Sequence, residues 1–412
     1  MAVDLRQRAW AGVREDLDLI AVTAERLGVA VYLVGGPVRD ALTGHRVADV
    51  DVAVEGGAAK LARALAAEAG GVAVEHRRFL TAEVRLPDGR HWDVTTARTE
   101  HYPRPGALPV VKRATMAEDL GRRDFTVNAM ALRLTASGPA ELLDPTGGRK
   151  DLGAGILRAL HERSFVDDPT RVVRAAVYAE RLKLAPEPKT ERWLRAAVEG
   201  GALETVSGPR LGEQLRRGLE TASGGKIVRR LAVWGALEGL RMPATVAHPK
   251  AVLAVEAGRK KLGLDGATAG AAILALTAGV SGAEAATFLG MPAAYAHACE
   301  QVGRAALLGA FLRLAQTISE VDILLGDLTP ATVLAIYAMA TATVRQQIEQ
   351  WHEAAQALAL AVTGEDLLAA GIPRGPAIGA GLRAARSAAL DGKARGKASQ
   401  LKIAVAAARK AP

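Results

Sequence analysis

Strand-like runs crowd into the first 150 residues of this 412-residue chain and then stop. Val31–Val34, Val50–Val54, Val72–Glu75, Thr81–Leu86 and His91–Thr95 are short, rich in β-branched residues and bounded by turn formers, the pattern of strands. Pro87-Asp88-Gly89 joins two of them as a hairpin. Helices are expected over Asp16–Leu27, Val38–Thr43 and Ala58–Ala69. Beyond about residue 151 only helical periodicity remains, in Ala-rich segments broken at Ser207-Gly208-Pro209 and Met242-Pro243. The expectation is a mixed α/β unit followed by an all-helical remainder that subdivides near residues 220 and 360.

A chain of this length exceeds one ordinary core, so two or three domains are expected. With 50% hydrophobic and 24% charged residues it should pack and not remain disordered. The net charge of +9 favours a polyanionic partner, nucleic acid before membrane. The single Cys299 excludes an intramolecular disulfide and a cysteine zinc site. Met1–Trp10 carries Asp4 and two arginines without an apolar run, so no signal peptide is expected there. Apolar stretches such as Ala271–Leu276 fall short of the roughly 20 residues that span a bilayer. A soluble cytoplasmic protein is the expectation.

Two short segments carry the chemistry. Gly35-Gly36-Pro37-Val38-Arg39-Asp40 follows an apolar run and opens a helix, so its backbone amides can cradle a triphosphate while Arg39 adds a bidentate contact. Asp49-Val50-Asp51-Val52-Ala53-Val54 alternates strictly, which predicts both aspartates on one strand face and three valines toward the core. Carboxylates two residues apart on a strand, roughly 6.6 Å along the chain, can converge on Mg²⁺. A solvent-facing edge strand would explain a bare Asp-x-Asp; the glycine turn and Arg39 just before it favour the functional reading. Nucleotidyl transfer uses such a set, with metal ions serving the attacking hydroxyl and the leaving oxygen. Asp93, in His91-Trp92-Asp93-Val94-Thr95, is the candidate third carboxylate, with a structural role as the alternative. Downstream, Arg122, Arg123 and Asp124 can hold phosphate and ribose, or form an ion-pair network.

Gly-Gly-x-Val-Arg-Asp, then Asp-x-Asp ten residues after the arginine, then Arg-Arg-Asp-Phe-Thr-x-Asn-Ala-Met resembles the bacterial class II tRNA nucleotidyltransferase and poly(A) polymerase family. Leu143-Asp144-Pro145…Gly148…Asp151-Leu152 and Asp167-Asp168-Pro169-Thr170-Arg171-Val172-Val173-Arg174-Ala175 match as well. The resemblance covers about residues 30–220, with a weaker similarity to the family's tail in Thr363-Gly364-Glu365-Asp366-Leu367 and Leu390-Asp391-Gly392. It implies a polymerase-β-like nucleotidyltransferase head (1–150), a helical neck (151–220) and a helical body with a basic tail for tRNA (221–412). It implies CTP and ATP as substrates, Mg²⁺ as cofactor, and addition of CMP, and AMP, to the tRNA 3′ end with release of pyrophosphate. Asp49 and Asp51 would bind metal, Gly35, Gly36 and Arg39 the triphosphate. Arg122, Arg123, Asp124 and Asn128 would surround the nucleotide.

The family's nucleotide-selecting motif falls on Asp168 and Arg171, with Arg174 on the same helical stripe. A carboxylate only accepts hydrogen bonds and a guanidinium only donates. Cytosine and adenine each present an amine beside a ring-nitrogen acceptor, whereas uracil and guanine present a carbonyl in place of that amine. One Asp–Arg pair can therefore take C and A and refuse U and G; an exposed i,i+3 salt bridge is the plainer reading. Pro169 is expected at the first position of this helix. Val177 departs from the family, which often has another nucleotide-binding arginine there. The Ala97–Asp119 stretch, with Pro103, Pro105, Gly106 and Pro109, is expected as a loop, and Tyr102–Pro109 resembles a subgroup in which CC-adding members occur. From Arg383 to Pro412 eight Lys/Arg face a single Asp391, suited to tRNA phosphates or simply solvated. The alternatives are a poly(A) polymerase and a noncatalytic RNA-binding protein with a degenerate head. A His-Asp phosphohydrolase finds no support, since none of the eight histidines precedes an Asp.

Overall fold

The computed structural model describes residues 2–3, 8–136 and 140–411; Asp4, Arg6 and Pro412 of the terminal segments read above lie outside them. The chain divides into two compact units, residues 1–207 with 234–239, and residues 208–233 with 240–412.

In the first unit the order is β1 (Ala2–Val3), α1 (Arg14–Arg26), β2 (Ala30–Val34), α2 (Gly36–Leu42), β3 (Val50–Glu55), α3 (Ala58–Ala69), β4 (Val72–His76), β5 (Thr81–Arg85) and β6 (His91–Thr96). There follow β7 (Arg98–His101), β8 (Val110–Arg113), α4 (Met116–Gly121), β9 (Ala131–Leu134), β10 (Ala140–Leu143) and α5 (Gly148–Ala154). β11 (Ile156–Leu157), α6 (Ser164–Asp167), α7 (Thr170–Arg181), β12 (Ala185–Pro186) and α8 (Pro188–Glu199) complete it. Eight strands form one sheet in the order β1-β10-β9-β2-β3-β6-β5-β4. Every ladder in it is antiparallel except β3–β6, whose parallel crossover runs through α3 and the β4–β5 hairpin.

Alternation sorts the two faces. Val31, Leu33, Val50, Val52, Val54, Ala82, Val84, Trp92, Val94 and Leu132 point to one side, where Ile20 of α1 and Leu61 and Leu65 of α3 cover them. α3 forms because Leu61, Ala62, Leu65 and Ala66 make one apolar stripe. The Thr96 hydroxyl accepts from its first amide at 3.0 Å, and Gly70 ends it in the left-handed region at φ +66°. On the opposite side Tyr32, Val34, Ala53 and Ala131 pack under Met116 and Leu120 of α4.

The five expected strands and three expected helices are present within a few residues, and several further elements are not among those read from the sequence. β9 and β10 are additional strands of the main sheet, and β9 pairs directly with β2. The stretch read as a loop folds as the antiparallel β7–β8 hairpin followed by α4, whose Thr115 and Glu118 form a capping box. Among the described residues the only strands beyond residue 150 are β11 and β12, a parallel pair of two residues each. α2 starts at Gly36, and Pro169 lies at the N-cap of α7, one position before the expected one.

The second unit is helical. Ten consecutive residues of Gly266–Ala278, Ala269 to Ala278, are buried, so this helix is apolar all round because it is surrounded. The longer run Gly266–Phe288 has the length and apolarity of a membrane span, which the sequence reading had not anticipated, and 61% of that window is buried within the fold. Toward the C-terminus Pro376–Leu390 and Lys397–Ala408 pair around Leu367, Ala385 and Ala404. Arg386 pairs with Asp322, Lys393 with Asp391 and Lys397 with Asp366, so three of the eight basic tail residues serve intramolecular ion pairs. Asp391 also accepts from Ser319 N and Oγ, and Thr363 with Asp366 caps the helix Gly364–Ala369.

The packing of α5 gives a direct test. A Cβ at Gly148 would lie 2.0 Å from the Thr126 carbonyl oxygen, whereas one at Gly153, in the same helix, meets nothing within 4 Å. Gly148→Ala should therefore lose about 1–3 kcal/mol of stability through overpacking. Gly153→Ala should gain roughly 0.5–1 kcal/mol from helix propensity. Urea unfolding of both variants measures the difference.

Candidate active site

The β3–β6 ladder sets Asp51 directly beside Asp93, and the β6–β5 ladder sets Asp93 beside Glu83. Three carboxylates thus line one row across three strands, at the roughly 4.8 Å spacing of paired strands. They share the face opposite the valine core. Glu83, which sequence reading missed, is held by Arg85 at 2.9 Å. Asp49 departs from expectation: it precedes the strand, because the β3 ladders begin at Val50 and Val52 and give residue 49 no partner. Its charge nevertheless acts on both Asp51 and Asp93.

Burial and like charges raise the pKa values of the two aspartates in this row, whereas the Arg85 hydrogen bond lowers that of Glu83. Burial first, then Asp93 and Asp49, push the Asp51 carboxyl up to about 6. Asp93 is also raised, chiefly by desolvation, with Glu83 and Asp49 adding to it. Such a set suits a divalent cation by its hard oxygen donors. Among the described residues no three His, Cys, Asp or Glu side chains converge into a closed cage.

The glycine turn reaches this row through Arg123. Gly35 has φ +70°, and a Cβ there would lie 3.0 Å from Arg123 Nη1, so only glycine suits the position. Arg123 in turn is a positive neighbour of Asp51. The Gly35 amide donates to the Met130 carbonyl at 3.1 Å and is thereby committed to the fold.

Asp119, given no role from the sequence, organises both arginines. It is fully buried and accepts from Arg122 at 2.7 Å, Arg123 at 3.0 Å and the Arg98 amide at 3.1 Å. The signal was its spacing, i,i+3 and i,i+4 to the two arginines. Arg122 also donates to Glu100 at 2.6 Å and to the Arg98 carbonyl, so its guanidinium is largely engaged within the protein. Tyr102 donates to Glu100 at 2.9 Å.

A second group surrounds Asp124. Its Oδ1 accepts from the Phe125 amide at 2.8 Å and Asn128 Nδ2 at 3.0 Å, and its Oδ2 from Arg174 at 2.9 and 2.5 Å. Through those bonds Asp124 holds Arg174 and Asn128 in place. Arg39, buried, donates to Asn128 Oδ1 at 2.5 Å and pairs with Asp40 at 2.7 Å.

The expected selecting pair lies at the start of α7. Asp168 precedes the helix, its Oδ1 accepting from the Thr170 hydroxyl at 2.7 Å. Arg171 is buried and donates to Ser164 Oγ at 2.7 Å and to the Arg122 carbonyl at 2.9 Å. The proline-rich loop is anchored nearby, for Gly106 donates to the Asp167 carbonyl at 3.3 Å. Val177 is buried.

The Asp124–Arg174 bond predicts an acid limb of stability. Burial opposes ionisation of Asp124, yet Arg174, Arg171 and Asn128 hold its carboxyl below the usual range. Its contribution is therefore complete above the unfolded pKa of about 3.9 and is lost as pH falls through the depressed folded value. Asp124→Asn should cost about 3 kcal/mol at neutral pH by leaving Arg174 unpaired. The loss should shrink as pH falls below about 4, as denaturant titrations at several pH values will measure.

Comparison with known proteins accords with this architecture. Residues 31–158 match the Poly A polymerase head domain. An A-adding tRNA nucleotidyltransferase of Geobacter sulfurreducens is 33% identical over 92% of this chain and 45% of that protein. A CC-adding tRNA nucleotidyltransferase of Deinococcus radiodurans is 41% identical over 57% of this chain and 63% of its own length. The chain thus spans about half the length of these curated relatives. Among solved structures, a CCA-adding enzyme in apo form II superposes with a TM-score of 0.78 at 30% identity, covering 95% of both chains. The Thermotoga maritima CCA-adding enzyme complexed with tRNA gives 0.77 at 28%, over 98% of this chain and 97% of that one. The head-domain match and the 30% identity to a CCA-adding enzyme over 95% of both chains place this protein in the tRNA nucleotidyltransferase and poly(A) polymerase family.

Proposed function

We propose that this chain transfers CMP and AMP from CTP and ATP to the 3′ end of tRNA, building or repairing its CCA terminus. The observation that carries the reading is the Asp51–Asp93 pair, set side by side by the parallel ladder and linked to the Gly35–Gly36 turn by Arg123. The tRNA 3′-hydroxyl attacks the α-phosphorus, its proton leaves to the acidic row, and the bond to the β-phosphate oxygen breaks to release pyrophosphate. Asp49 and Asp51 would hold a divalent cation, Mg²⁺ in this reading, which when bound supplies positive charge to the phosphoryl oxygens and acidifies the hydroxyl. Asp93 completes the acidic set. Gly36, Arg39 and Arg123 receive the triphosphate, and Arg122, Asp124 and Asn128 hold that side of the site in shape.

Arg171 and Asp168 select the base. Arg171 is fixed from behind by Ser164 and the Arg122 carbonyl, so its remaining N–H groups offer donors in a set direction. A base that presents an acceptor to Arg171 and an amine to Asp168 satisfies both, and uracil or guanine does not. In this division residues 1–150 carry the chemistry, 151–220 select the nucleotide and 221–412 meet the tRNA. The named relatives act on tRNA, which favours this reading over a poly(A) polymerase.

Purified protein, truncated tRNA, Mg²⁺ and CTP or ATP, singly and together, provide the test, with product lengths counted on a gel. One or more defined nucleotides should be added, and Asp51→Asn should reduce addition to background while the far-UV circular dichroism is retained. Arg171→Ala should lower the preference for CTP over UTP by roughly tenfold, the worth of one buried hydrogen bond left unmade. Undiminished selectivity would remove the base-selection argument.

A further inference from the structure

Arg39 and Arg174 come from different elements, α2 and α7, and both guanidiniums lie 5.5 Å from the centroid of the Tyr178 ring. Arg174 also donates to the Tyr178 hydroxyl at 3.2 Å. Phe125 meets the same ring edge-on, at 5.8 Å and 80°, which fixes its plane. Asn128 joins Arg39 to Asp124, and Asp124 joins Arg174, so Arg39, Asn128, Asp124, Arg174 and Tyr178 close a circuit of side chains. Two like charges are held together here by a shared ring on one side and by Asp124 and Asp40 on the other.

We propose that Tyr178 is a positioning residue that locks Arg39, on the triphosphate side, to Arg174, on the base-selecting helix, so that the two ends of a bound nucleoside triphosphate are registered to one another. The proposal rests on the nucleotidyl-transfer reading above. Tyr178 acts through the two arginines. Without its face, Arg39 keeps its bonds to Asp40 and Asn128, and through Asn128 and Asp124 an indirect tie to α7, but loses its direct contact with that helix. Triphosphate binding then weakens while the carboxylate row that performs the chemistry is untouched.

The test uses the full chain and three variants, Tyr178→Leu, Tyr178→Met and Tyr178→Phe. CTP affinity is measured by calorimetry, and KM and kcat for CTP by extension of truncated tRNA. Loss of the two cation–π contacts should weaken CTP binding and raise KM by roughly tenfold in the Leu and Met variants, with kcat changed far less. Tyr178→Phe, which keeps the aromatic face, should recover most of the lost affinity. Leu and Met differ in shape, so misfolding of one leaves the other to decide. Unchanged CTP affinity in a folded Leu or Met variant would overturn the proposal, as would a Phe variant as weak as they are. If wild-type protein binds CTP but extends no tRNA, the function reading falls while the binding comparison still decides the role of Tyr178.

Discussion

One parallel ladder in an otherwise antiparallel sheet governs the site. Had β3 and β6 paired one residue out of register, Asp51 would face a core residue and Asp93 would point to the wrong side, since each step along a strand reverses the face. The observed register sets Asp51 opposite Asp93, and burial first, then this neighbouring charge, lift the Asp51 carboxyl to about 6. That electrostatic strain is tolerated because the opposite faces of both strands, with Val50, Val52, Val54, Trp92 and Val94, are buried against α1 and α3. A row of this kind is stabilised by positive charge, which in the proposed reading would couple the packing of the sheet to cation binding.

Behind the carboxylates the arginines are held and not merely present. Asp119 fixes Arg122 and Arg123, Asp124 fixes Arg174, and Ser164 with the Arg122 carbonyl fixes Arg171. Buried guanidiniums with their rear donors satisfied lose little freedom when a ligand arrives, so binding costs less ordering entropy.

The sequence was most informative where local chemistry alone decides structure. Ala58–Ala69 was placed to the residue because its stripe and its terminal Gly70 are both local signals. The strands from β2 to β6 were legible for the same reason, through alternation and turns. β9 escaped notice because Ala129-Met130-Ala131-Leu132-Arg133-Leu134 suits a buried helix as well as a strand, and only pairing with β2 decides it. The β7–β8 hairpin was hidden by polar strands around a proline-rich turn. At the site, the residue types could be read from the motifs, but not the Asp51–Asp93 register, which depends on how the α3 crossover and the β4–β5 hairpin close the sheet. Nor could the engagement of Asp124 or the shared face of Tyr178 be read, because both join segments about 50 residues or more apart.

The central claim is that the carboxylate row receives a divalent cation together with the triphosphate. Electron paramagnetic resonance of Mn²⁺ titrated into the protein with a non-hydrolysable CTP analogue tests it most directly. The account predicts a bound Mn²⁺ signal in the wild-type protein that depends on the nucleotide and disappears in Asp51→Asn. An equal bound signal in that variant, or none in the wild type at saturating analogue, would contradict it.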